Sequence, residues 1–112
     1  MNLVVIESPY AGDPGEIDVN VDYARACIKD SLKRGEAPIA SHLLYTQPGI
    51  LDDNIPGERR LGIYAGQSWI RASDMVAVYT DLGISSGMEE AIRTARRTGI
   101  EIEYRSLMEW KQ

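Results

Sequence analysis

The chain has 112 residues, 44% hydrophobic and 26% charged, which is enough for one core and too little for two, so residues 1–112 are expected to form a single domain. Twelve Lys and Arg against 17 Asp and Glu give a net charge of -5, opposing the basic surface that duplex nucleic acid requires but leaving room for one phosphate held by local amides. One cysteine, Cys27, and one histidine, His42, exclude a disulfide framework and a Cys- or His-cluster zinc site.

Leu3-Val4-Val5-Ile6 is a continuous β-rich run with no basic leader before it and Glu7 directly after it. That is no secretory signal, and no apolar run in the chain nears the roughly 20 residues of a membrane span, so a cytoplasmic location is expected. The run stops at Ser8-Pro9-Tyr10-Ala11-Gly12-Asp13-Pro14-Gly15, a cluster of turn residues, and so reads as a buried strand entering a loop. Asn20 is placed to cap a helix from about Val21 to Arg34, in which Ala24, Cys27, Ile28, Ser31 and Leu32 recur at helical spacing and Gly35 terminates. Ala37 to His42 reads as a second strand, with Pro38 near its start where the missing N–H matters least.

From Thr46 to Pro56 the chain collects Pro48, Gly49, Asp52, Asp53 and Asn54, an irregular segment long enough to close over a ligand. A second helix, about Gly57 to Arg71, places Leu61, Tyr64, Ala65 and Trp69 on one face, as core or as a dimer surface, while Gly62 and Gly66 weaken it by about 1 kcal/mol each relative to alanine. Met75 to Tyr79 is a third buried strand. Ser86 to Thr98 is a third helix with Met88, Ala91, Ile92 and Ala95 on its apolar face and Gly99 at its end, and Ile100 to Tyr104 alternates as a fourth strand.

Strands and helices alternating through short links predict a small Rossmann-like (flavodoxin-like) α/β domain, a parallel sheet with helices on both faces. Ligands of such sheets lie outside the carboxyl ends of the strands, which here carry Ser8 to Gly15, His42 to Tyr45 and Thr80 to Glu89. In the last of these, Ser85, Ser86, Gly83 and Gly87 surround a helix N-terminus as an anion cradle would. The segment lacks both the Gly-Lys-Ser/Thr ending of a P-loop and the three spaced glycines of a dinucleotide fingerprint, and Ser86 with Glu89 also fits a Ser-x-x-Glu capping box.

A Ser/Gly loop holding Ser8, Tyr10 and Gly12 follows the first strand, His42 ends the second, and Trp69-Ile70-Arg71-Ala72-Ser73-Asp74 leads into the third. Ser85-Ser86-Gly87-Met88-Glu89 follows that strand, and Ala91 and Ala95 continue the helix. In this order and spacing the chain resembles the nucleoside 2-deoxyribosyltransferase-like superfamily, which includes the nucleoside 5'-monophosphate N-hydrolases and short phage-type relatives of unassigned function. The resemblance implies that Glu89 attacks the anomeric carbon of a deoxyribosyl group and that water or a second base resolves the sugar ester, as in retaining glycoside cleavage. A one-residue shift of alignment exchanges Glu89 with Glu90, which lies about 100° further round the helix, so only one of them faces a pocket.

The resemblance further implies that Tyr10 orients the nucleophile and that Ser85, Ser86 and Gly87 hold the sugar 5' end or its phosphate. Ser8, Gly12, His42 and Asp81 then contact the rest of a small-molecule nucleoside or nucleotide. It implies no metal or organic cofactor, and a homodimer or higher homo-oligomer whose second subunit completes the site. Those enzymes carry an acidic residue about two helical turns before the position of Asp74, where this chain has Gly66 with Gln67 beside it. A non-catalytic module that senses or sequesters a nucleotide-derived ligand is therefore the alternative.

Overall fold

A computed structural model describes residues 1–108 and 110. In chain order the elements are β1 (Leu3–Glu7), α1 (Pro14–Lys33), β2 (Ala37–Ile39), α2 (Ser41–Leu44), α3 (Pro56–Ala72), β3 (Met75–Tyr79), α4 (Ser86–Thr98) and β4 (Glu101–Arg105). The four strands form one all-parallel sheet in the order β2-β1-β3-β4, which is the Rossmann-like α/β architecture predicted. From β1 the chain steps one way to β2, then crosses back past β1 to β3 and on to β4. Right-handed crossovers that travel in opposite directions put their helices on opposite faces.

Strand alternation builds a core on each face. Val4 and Ile6 of β1 join Met75, Ala77 and Tyr79 of β3 under Tyr23 and Cys27 of α1. Val5, Val76 and Val78 point the other way, against Ile70 of α3 and Met88, Ala91, Ile92 and Ala95 of α4. Each aliphatic side chain so buried is worth about 1.5–3 kcal/mol. At the end of β4, the buried Arg105 guanidinium pairs with Glu36 at 2.7 Å and Glu103 at 2.8 Å and donates to the Tyr79 hydroxyl at 3.2 Å. None of the helices among the described residues is long and apolar enough to cross a membrane.

Four local expectations are corrected. Helix α1 starts at Pro14 rather than Val21, because proline suits the first helical position and the Asp13 amide donates to Glu16 Oε1 at 3.3 Å. Asn20 is consequently not a cap but a buried mid-helix residue, whose Nδ2 donates to the Tyr10 carbonyl at 2.9 Å. Strand β2 ends at Ile39, where its pairing with Val5 ends, and the chain turns at once into α2. His42 therefore lies on a helix and not at a strand end.

In α3 the face of Leu61, Tyr64 and Trp69 points outward, with 58%, 61% and 42% of those residues exposed. The inward face is set by Ile70 and by glycines that permit close approach: a Cβ on Gly62 would stand 3.3 Å from Leu51 Cδ1. Helix α4 is capped by Ser85, whose Oγ accepts from the Met88 amide at 3.3 Å, so the Ser86–Glu89 capping box does not form. Gly99 ends α4 in the left-handed conformation at φ 72°, as expected of a glycine there.

Candidate functional site

The connections from β1 and β3, neighbours in the sheet, leave for opposite faces, and the switch point between their carboxyl ends opens a cleft. A cavity of about 150 Å³ occupies it, formed by Glu7 and Ser8 from the end of β1, Ser41 and His42 of α2, Gly66, Gln67 and Ile70 of α3, Ser85, Ser86 and Gly87 at the start of α4, and Glu90. It adjoins a wider space of about 530 Å³ beneath residues 46–54, and Tyr10, Asp53 and Glu58 border both. The inner part alone is smaller than the roughly 300–1,000 Å³ usual for an enclosed small-molecule site.

Polar contacts give the cavity its character. Ser8 Oγ, almost wholly buried, shares a hydrogen bond of 2.7 Å with His42 Nε2. Burial holds the His42 pKa down to about 4, so the imidazole is neutral at neutral pH, and its buried Nδ1 has no partner among the described residues. Burial also pushes the Glu7 carboxyl up to about 8, so this group keeps its proton where other carboxyls ionise. Residues 46–55 are tied to α3 and α2: Arg59 pairs with Asp53 at 2.7 Å, the Asp52 amide donates to Glu58 at 3.1 Å and the Leu51 amide to the Tyr45 carbonyl at 3.0 Å. Among the described residues no three His, Cys, Asp or Glu side chains cluster as a metal site requires.

A family model described as a domain of unknown function, DUF7768, matches residues 2–105. The chain belongs to that family. No curated protein matches it. The DUF7768 fold has a counterpart in a solved structure from work titled as the characterization of a 2-deoxyribosyltransferase of the psychrotolerant bacterium Bacillus psychrosaccharolyticus. The similarity covers 98% of this chain and 77% of that one, at a TM-score of 0.64 and 14% identity, and what it establishes is a shared fold.

Of the residues singled out from the sequence, Ser8, Tyr10, His42, Ser85, Ser86 and Gly87 meet on the inner cavity of this DUF7768 chain. Gly12 borders the outer space only. Asp81 stands apart, because its carboxylate is taken up by the Tyr23 hydroxyl, Ser106 Oγ at 2.7 Å and the Leu107 amide at 3.0 Å, which pin the chain after β4 to α1. Glu89 is exposed and is not part of the cavity wall, whereas Glu90, one residue on, is.

Glu7 and Ser41 were not picked out from the sequence. A signal for Glu7 existed, since period-two alternation puts it on the Val5 side of β1, beneath α3 and α4. Gly66 also borders the cavity, and a Cβ added to it would stand 2.9 Å from Ser41 Oγ, so α3 presents bare backbone at that point.

Proposed function

We propose that the cavity binds a deoxynucleoside or its 5'-monophosphate and that the protein cleaves or transfers the N-glycosidic bond, with Glu90 as the nucleophile. The observation that carries this reading is that Glu90, near the start of α4, borders the cavity on a fold shared with a 2-deoxyribosyltransferase, its other side lying along a groove with Arg93 and Arg97. Its carboxylate attacks the anomeric carbon as the base departs, forming a sugar ester that water or a second base opens with release of the carboxylate. Tyr10 orients that carboxylate, while Ser85, Ser86 and the Gly87 amide hold the sugar's 5' end, with His42 and Ser8 as further ligand contacts. The carboxyls of Glu58, Asp53 and Glu90 share the wall with the guanidinium of Arg59, already paired with Asp53, which favours the uncharged nucleoside over the monophosphate. Supported by the exposed Tyr64 and Trp69, the reading includes a homodimer joined through α3.

The test is incubation with each common 2'-deoxynucleoside and its monophosphate, with free base followed by chromatography. Release is expected from the wild type, with a loss of at least about a thousandfold in Glu90→Gln and little change in Glu89→Gln. Sensitivity at Glu89 instead of Glu90 would return the nucleophile to the other residue, and no base from any substrate would remove the enzymatic reading.

A second reading, a module that holds a nucleotide-derived ligand without turnover, is favoured by the bare backbone at Gly66. It predicts thermal stabilisation that grows as RT ln(1 + [L]/Kd) with the nucleotide recovered intact. Recovery of cleaved product rejects it.

A further inference from the structure

Of the four carboxyl groups on the wall of the inner cavity, Glu7 and Glu90 stand in unlike surroundings. Glu90 is an exposed residue that borders the cavity from α4, whereas Glu7, at the end of β1, retains 9% of its accessible surface. Among the described residues the Glu7 carboxyl has neither a hydrogen-bond nor an ion-pair partner. Alternation along β1 turns it towards the Val5 side, between α3 and α4, and it borders the same space as Glu90. The Glu7 oxygens are not closed off from that space, so a group entering the cavity can meet them.

We infer that Glu7 is the proton donor to the departing base, the acid that complements the Glu90 nucleophile. The inference rests on the reading of Glu90 given above. In the first step a Glu90 oxygen bonds to the anomeric carbon, the C–N bond breaks with its electron pair going to the base nitrogen, and that nitrogen takes the proton of Glu7. The base leaves neutral, and Glu7 becomes a carboxylate. In the second step water adds to the anomeric carbon and gives a proton to Glu7 while the Glu90–carbon bond breaks, which returns both carboxyls to their starting forms. A buried carboxyl that keeps its proton and an exposed one bordering the same cavity are the pattern expected of an acid and a nucleophile in one site.

The other charged and titratable groups on the cavity leave Glu7 this role. Asp53 and Arg59 neutralise each other, and the amide of Asp52 occupies Glu58. The imidazole of His42 is too weak a base to hold a proton at neutral pH, Tyr10 has the role of orienting Glu90, and the Tyr45 hydroxyl is taken by the Trp69 Nε1 donor at 2.7 Å. Glu7, in contrast, stays protonated up to about pH 8.

The experiment compares wild type with Glu7→Gln on the common 2'-deoxynucleosides and on nicotinamide 2'-deoxyriboside, whose pyridinium base leaves as neutral nicotinamide and needs no proton. Glu7→Gln is expected to lose about a hundredfold or more in kcat/KM on the former and to stay within about threefold of wild type on the latter. Equal slowing of both classes, no slowing of either, or a wild type inert on the pyridinium nucleoside alone overturns the inference and leaves Glu90 in place. A wild type that frees no base from any of these substrates removes both. Should Glu7→Gln fail to fold, the wild-type pH profile decides. An alkaline fall near pH 8 with 2'-deoxynucleosides and none with the pyridinium nucleoside supports the assignment, and a fall in both or neither overturns it.

Discussion

Gly66 and Ser41 stand so close that a Cβ on the glycine would lie 2.9 Å from the serine oxygen. The acidic residue that the family resemblance leads one to expect on this turn of α3 has no room unless Ser41 moves, and β1 brings the Glu7 carboxyl to the same cavity. Alanine at position 66 gains up to about 1 kcal/mol of helix propensity but meets the hydroxyl. Gly66→Ala and Ser41→Ala are therefore expected to be non-additive by about 1 kcal/mol, with Gly66→Ala more favourable once the hydroxyl is gone. Denaturant unfolding of the four proteins of the cycle measures this, and additivity would show that Ser41 simply rotates away.

The two buried titratable groups of the cavity predict an uneven dependence of stability on pH. Glu7 has its pKa raised by burial from 4.5 to about 8, so between those values the unfolded chain releases a proton that the native state keeps, and stability falls as pH rises. His42 has its pKa lowered by burial from 6.5 to about 4, so over that window the unfolded chain binds a proton that the native state refuses, and stability rises with pH. The two slopes oppose each other below about pH 6.5, and from there to about pH 8 only the decline from Glu7 remains, at most about 1.4 kcal/mol per pH unit. Urea midpoints should drop across that upper window in wild type and stay level in Glu7→Gln. A level wild type would mean that Glu7 ionises normally.

Asp81 is expected to matter for stability and not for turnover. Burial alone would raise its pKa, but hydrogen bonds from Tyr23, Leu107 and Ser106 outweigh that and hold the carboxyl below its ordinary range. A lowered native pKa gives stability that is present above the unfolded value of about 4 and is lost as pH falls through the native one. Asp81→Ala should cost about 1–3 kcal/mol at neutral pH and lose this acid-side dependence, while base release stays near the wild-type rate. A selective loss of substrate binding in a stable Asp81→Ala protein would restore it to the site.

Legibility in the sequence varied with the physical source of each element. Met75–Tyr79 is continuously apolar, and Met88, Ala91, Ile92 and Ala95 keep helical spacing, so β3 and α4 were readable. Pro14 and Gly15 resemble a turn as much as a first helical turn, which hid the start of α1. The inner face of α3 relies on glycines, and hydrophobicity does not register a residue whose contribution is the absence of a side chain. The resemblance points to Glu89, one residue short of the Glu90 that borders the cavity, because residue order alone leaves such an alignment loose by one position. Glu7 was passed over because a charged residue at the end of a strand reads as solvated.

Self-association through α3 is tested by light scattering. A mass twice that of the chain at micromolar concentration is expected, reduced to one in Trp69→Glu. Trp69 is 42% exposed and donates from Nε1 to the Tyr45 hydroxyl at 2.7 Å, so the substitution should leave the fold intact. A monomeric wild type removes the assembly, and a dimer that survives the substitution moves the contact elsewhere.

The rims of the sheet are unsuited to receiving another strand. On one side β2 has three residues, one of them Pro38, which offers no N–H, and on the other β4 carries Glu101 and Glu103. Short, proline-bearing and charged edges are the common defence against strand addition. Concentrated solutions of the native protein should therefore yield finite particles rather than fibres, because each copy lacks a backbone ladder that the next could extend.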